Sequence, residues 1–149
     1  MAEETPQLGK IDDSKKSPEN QEGKIKRILI AEDNKTMRNL LVNSFTAFGY
    51  TVEAVESGEE LLQKLVDMEY DLVITDNNMK GEMKGIEALR QIRAIEKTKN
   101  LSVILMTTNF YPELVAEIIR FNGKGFKKDG LLVDNIKSRI KELEEGQKA

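Results

Sequence analysis

The stretch Tyr70-Asp71-Leu72-Val73-Ile74-Thr75-Asp76-Asn77-Asn78-Met79 decides how the rest of the chain is read. Leu72, Val73 and Ile74 form a short apolar run with polar residues on both sides. A run this short, rich in β-branched residues, suits a strand buried on both faces. Asp76 stands just past it. In an open parallel sheet, ligands bind outside the carboxyl ends of the strands, which places this carboxylate for chemistry. The same Asp-Asn-Asn also suits a turn. A second acidic cluster has to decide between the two.

Working back toward the N-terminus, Ile25 to Ala31 reads as a first strand, followed at once by Glu32, Asp33 and Asn34. These three residues also suit the cap of a helix. Met37, Leu40, Leu41, Ser44, Phe45 and Phe48 then recur at helical spacing, and Gly49 is a natural stop. Thr51 to Val55 alternates as a second strand. Ser57-Gly58-Glu59-Glu60 is a capping box for a helix with Leu61, Leu62, Leu65 and Val66 inward, ending near Met68.

Forward of the opening stretch, Met79 to Gly85 is a loop with two glycines. Ile86, Leu89, Ile92 and Arg93 belong to a third helix. Leu101 to Met106 is a fourth strand, ending in Thr107-Thr108-Asn109. Pro112 suits the first turn of a helix with Leu114, Val115, Ile118 and Ile119 as its apolar face. Phe126 to Lys128 is a short last strand. Val133, Ile136, Ile140 and Leu143 mark a last helix packing on the sheet. The runs Arg90 to Lys97 and Lys137 to Glu145 read as solvated helix faces.

Five strand-then-helix repeats predict an α/β fold with a doubly wound, five-stranded parallel sheet and five helices. In strand order 2-1-3-4-5, strands one, three and four are neighbours. Glu32, Asp33 and Asp76 then converge on one rim beside Thr107.

Composition narrows the chemistry. The 149 residues are 39% hydrophobic and 33% charged, consistent with one domain and a substantial core. The net charge of -3 and the lack of a long basic cluster argue against direct nucleic-acid binding. Cysteine and histidine are both absent. That excludes disulfides, thiolate metal sites, His-ligated zinc and histidine acid–base catalysis. A metal would need oxygen ligands, which favours Mg²⁺ or a similar hard ion. No apolar run reaches the roughly 20 residues of a membrane span, and a cytoplasmic location is expected. Residues 1–24 hold few large aliphatics, so a disordered N-terminal tail is expected there, with a short tail at 146–149.

Three close carboxylates repel, and a divalent cation relieves that cost. A carboxylate can also attack phosphorus to give an acyl phosphate. Asp76 is placed for that role. Thr107 and an ammonium from Lys127-Lys128 could bind phosphoryl oxygens.

In these residues the chain resembles the response-regulator receiver family, from about Ile25 to Leu143. Ile28-Leu29-Ile30-Ala31-Glu32-Asp33-Asn34 is similar to the strand-one acidic motif of that family. Leu72-Val73-Ile74-Thr75-Asp76 is similar to its phospho-acceptor motif, and Val103-Ile104-Leu105-Met106-Thr107 to its switch-threonine strand. The resemblance implies a flavodoxin-like receiver domain over 25–145, of a stand-alone type and not an enzyme. It implies that Asp76 takes a phosphoryl group from a histidine kinase or phosphotransfer protein. Asp33, Asp76 and the Asn78 carbonyl would bind Mg²⁺, with Glu32 acting through water. Phe126, nineteen residues after Thr107, would be the switch aromatic. A downstream protein target would read helix four, strand five and helix five.

Two departures stand out. Met79-Lys80 replaces the usual Met-Pro of the family, which is expected to loosen the loop beside the acceptor. Ungapped counting from Phe126 puts Asp129 where the active-site lysine belongs. A one-residue deletion restores Lys128, and Lys127 is the alternative. These departures motivate a second reading, a pseudo-receiver that binds partners without phosphorylation. An aspartate-nucleophile phosphatase fits less well, because Asn78 stands where such enzymes commonly place a second carboxylate.

Overall fold

The computed structural model describes residues 24–146. The expected tails at 1–24 and 146–149 lie outside the described residues except for Lys24 and Gly146.

Strands and helices alternate along the chain. β1 is Arg27–Ala31, α1 Lys35–Ala47, β2 Thr51–Val55, α2 Gly58–Asp67 and β3 Leu72–Asp76. They are followed by α3 Gly85–Ala94, β4 Ser102–Thr107, α4 Pro112–Arg120, β5 Lys124–Lys127 and α5 Leu132–Glu144. All strand pairs are parallel, in the order β2-β1-β3-β4-β5. This is the doubly wound 2-1-3-4-5 sheet expected from the alternation.

Helices cover both faces, so the central strands read as unbroken apolar runs. On β3, Leu72 and Ile74 join Ile28, Ile30, Leu41, Phe45, Ile104 and Ile136 beneath α1 and α5. Val73 joins Leu29, Leu61, Leu65, Leu89, Leu105 and Ile118 beneath α2, α3 and α4. Neighbouring residues of one strand therefore feed opposite cores, as the two-residue period requires.

Some helix stripes are narrower than their spacing suggests. Leu40 and Phe48 are exposed on α1, because Leu40 lies at the stripe's edge and Phe48 is already the C-cap. Val66 is 66% exposed and Ile119 72%, and Val115 is exposed as well. Leu61 with Leu65, and Leu114 with Ile118, fill the contacts those helices make with the sheet. One residue expected on a solvated face is a clasp instead. Arg93 donates to the carbonyls of Phe121, Asn122, Lys99 and Leu101, tying the end of α3 to the segments before β4 and β5.

Tyr70, at the head of the deciding stretch, is 8% exposed and donates its hydroxyl to Glu53 on β2. The Arg27 guanidinium lies over its ring at 5.3 Å from the centroid. Burial, reinforced by the Glu53 bond, pushes the Tyr70 hydroxyl from its ordinary 10.0 up to about 12. A raised value means this group stabilises the fold below the unfolded value, and the contribution fades as pH rises toward the folded one. Tyr70→Phe is expected to cost about 1 kcal/mol at neutral pH. Urea titrations should show the two proteins converging in stability between pH 10 and 12.

Candidate functional site

Strand register brings the acidic residues together. Ala31 pairs with Thr75, so the next residues, Glu32 and Asp76, leave adjacent strands side by side. Glu32 stays in line because its amide donates to the Val55 carbonyl on β2 at 3.0 Å. Asp33 follows on the loop into α1. Carboxylate oxygens of Glu32, Asp33 and Asp76 all lie within 4.8 Å of one another. Glu32 is 0% exposed and Asp76 3%.

The three residues after β1 divide their work. Asn34 alone caps α1, accepting from the Met37 amide at 2.8 Å. Its own amide donates to Glu32 Oε2 at 3.0 Å. Arg38, one turn into α1, donates to the carbonyls of Glu32 and Asp33 at 3.0 and 3.3 Å. Helix capping thus accounts for Asn34 and leaves both carboxylates to the rim.

The structure places Lys128 against these carboxylates, not Lys127. Lys127 ends β5 in register with Thr107, and it is exposed. The Lys128 amide then donates to the Thr107 carbonyl at 2.9 Å. Lys128 Nζ donates to Glu32 Oε1 at 2.9 Å and Asp76 Oδ2 at 3.0 Å. Asp129 turns away and accepts the Leu131 amide at 2.9 Å.

The charges in the pocket do not balance. Three carboxylates at -1 each and one directly bonded ammonium at +1 leave a formal -2. Burial pushes the Glu32 carboxyl above its ordinary range, and the Asp76 charge adds to that. The Lys128 and Asn34 hydrogen bonds work the other way. Burial draws the Lys128 ammonium down, but its bonds to Glu32 and Asp76 outweigh burial and leave it above its ordinary value. An all-oxygen donor set carrying residual negative charge is what a hard divalent cation fits.

The β3–α3 loop closes the site on the next side. The Asn78 amide donates to Asp76 Oδ1 at 3.1 Å. The Lys80 amide donates to Asp33 Oδ2 at 2.7 Å, and Lys80 Nζ pairs with Glu56 at 2.9 Å. The loop is therefore anchored where the Met-Lys pair led us to expect loosening: a lysine has the N–H that proline lacks. Two further residues carry no signal in the sequence. Asn77 supplies the first turn of α3 with acceptors, its Oδ1 taking the Ile86 amide at 2.9 Å and its carbonyl the Gly85 amide at 3.1 Å. Gly85 lets that helix start directly on the Asp76 carbonyl.

Thr107 is buried at the end of β4. Its hydroxyl donates to the Asn109 carbonyl at 3.1 Å and accepts the Asn109 amide at 3.2 Å. Phe126, on β5, pairs in register with Met106 and is half-buried against the α1–α5 core. Because strand residues alternate faces, it lies on the side of the sheet opposite the Thr107 hydroxyl and does not stand behind it as the expected switch aromatic would. On the other face of β5 the Phe110 ring packs over Gly125.

A family model described as the response regulator receiver domain matches residues 28–139. The chain belongs to the response regulator receiver domain family. Among curated proteins, this receiver domain is similar to the chemotaxis protein CheY of Pseudomonas aeruginosa. The two are 31% identical over 118 residues, 78% of this chain and 94% of that protein. It is also 30% identical over 118 residues to CheY-3 of Vibrio cholerae, across 78% of this chain and 90% of the relative. Among solved structures it is similar to the response regulator protein TrrA from Thermotoga maritima in complex with Mg(2+)-BeF. That match has a TM-score of 0.67 and 32% identity, and it covers 80% of this chain and 99% of the other. It is a receiver domain of two-component systems, with the flavodoxin-like sheet order. No helix among the described residues is long and apolar enough to cross a membrane.

Proposed function

We propose that this receiver domain takes a phosphoryl group onto Asp76 from a phosphohistidine of a histidine kinase or phosphotransfer protein. The observation that carries the reading is the buried convergence of Glu32, Asp33 and Asp76 with the Lys128 ammonium. An Asp76 oxygen attacks phosphorus. The bond from phosphorus to the donor nitrogen breaks, that nitrogen keeps the electron pair, and Asp76 becomes an acyl phosphate.

Asp33 and Asp76, with the Asn78 carbonyl, would hold Mg²⁺, and Glu32 would act through water. When bound, Mg²⁺ supplies charge to neutralise the phosphoryl oxygens during transfer. Lys128 then moves its hydrogen bond from the Asp76 carboxylate to a phosphoryl oxygen. Thr107 gives up Asn109 for another of those oxygens, on the sheet face where Phe110 covers Gly125. The readout is a change at α4, β5 and α5, where Tyr111, Val115 and Ile119 expose an apolar ridge at one-turn spacing. A downstream protein that binds this ridge is the output. The hydrogen bonds of Lys128 to Glu32 and Asp76 weigh against a pseudo-receiver, since one of the two departures that motivate that reading is the missing lysine.

The test is intact-protein mass spectrometry after incubation with a small acyl-phosphate or phosphoramidate donor. One phosphoryl group should add in Mg²⁺ and none in a chelator. Equal labelling with and without Mg²⁺, or none in either, would overturn the reading.

A further inference from the structure

The Lys80 backbone amide donates to Asp33 Oδ2 at 2.7 Å, across 47 residues of sequence. This bond joins the loop after β3 to the loop after β1. It engages one oxygen of the carboxylate and so restricts the plane of the group. Oδ1 has no hydrogen-bond partner among the described residues. The loop that supplies the donor is itself held. Lys80 Nζ pairs with Glu56 at 2.9 Å, and Arg38 reaches the same carboxylate at 3.5 Å. The next residue, Gly81, has φ +91, a left-handed turn that glycine accepts without strain. Its position leaves only 3.0 Å between a would-be Cβ and Glu59 Oε1. A proline at 80 would remove the donor.

We propose that the Lys80 peptide N–H is a positioning group for the metal site, orienting Asp33 so that its free oxygen faces the cation. The proposal rests on the acceptor reading above and adds a residue to it. Groups that orient metal ligands commonly change affinity by about tenfold or more when lost. The lysine side chain is secondary, since its pair with Glu56 is solvent-exposed and weakly stabilising.

The experiment separates amide from side chain. Mg²⁺ affinity is measured by calorimetric titration for wild type, Lys80→Ala and Lys80→Pro, with unfolding midpoints recorded alongside. Lys80→Ala keeps the N–H and should bind Mg²⁺ like wild type. Lys80→Pro loses it and should bind about tenfold more weakly. Equal affinity in Lys80→Pro and wild type would overturn the proposal. So would an equal loss in both variants, which would assign the effect to the side chain. Wild type that binds no Mg²⁺ would refute the acceptor reading and this proposal with it. If Lys80→Pro does not fold, hydrogen exchange decides in its place. The Lys80 amide should be protected in wild type and exchange faster in Asp33→Ala. Unchanged exchange would sink the idea.

Discussion

Asp76→Asn is expected to abolish phosphoryl uptake while leaving a folded protein. The substitution keeps the size and shape of the side chain but removes the anionic nucleophile, so no acyl phosphate can form. Its effect on stability has two opposing parts. The Lys128 ammonium and the Asn78 amide both donate to Asp76, and an amide has one acceptor oxygen in place of two. Against that loss, one of three mutually repelling carboxylates disappears from a pocket with a formal -2 charge. The two parts should nearly cancel, leaving unfolding free energy within about 1 kcal/mol of wild type. Intact mass after donor treatment and a urea titration measure both halves. A labelled Asp76→Asn protein would place the phosphoryl group elsewhere.

Gly85→Ala is expected to have the largest structural effect of any single methyl added near the site. A Cβ at this position would lie 2.5 Å from the Asp76 carbonyl oxygen and 3.0 Å from the Asn77 Cα. Both are backbone atoms, so neither can swing aside. It would also meet Leu105 Cδ1 at 3.0 Å. Relief requires α3 to lift from the end of β3. That motion strains the bonds from the Gly85 and Ile86 amides to Asn77 and drags the loop that carries Asn78 and Lys80. The expected cost is about 3 kcal/mol of stability. Mg²⁺ affinity should fall as well, because the Asn78 amide no longer steadies Asp76. Urea unfolding and calorimetric Mg²⁺ titration check the two effects. A variant with wild-type stability would mean that α3 does not start where the structure puts it.

The fold was legible because its signals are local. Runs such as Ile28-Leu29-Ile30 and Leu72-Val73-Ile74 need only adjacent residues, and their spacing with helical stripes implies parallel winding. The edges of those stripes were not legible. Val66 and Ile119 share the period of Leu62 and Val115, and only the sheet decides which side of a stripe it covers. The carboxylates could be read because each follows a strand. Lys128 was ambiguous because a shortened loop moves the lysine out of step with Phe126, and no count along the chain tells where the missing residue lies. Gly85 and the Lys80 amide were hidden for a different reason. One acts through close approach to a distant backbone, and the other through a donor that almost every residue type carries.

The acceptor role of Asp76, built on buried carboxylates from β1 and β3, is tested most directly by locating the phosphoryl group. The protein is phosphorylated with a small donor and Mg²⁺, reduced with borohydride, and mapped by peptide mass spectrometry. An acyl phosphate on aspartate is reduced to homoserine. Homoserine is expected at position 76 and at no other. Homoserine at a different position, or none in protein shown to carry phosphate, would contradict that role.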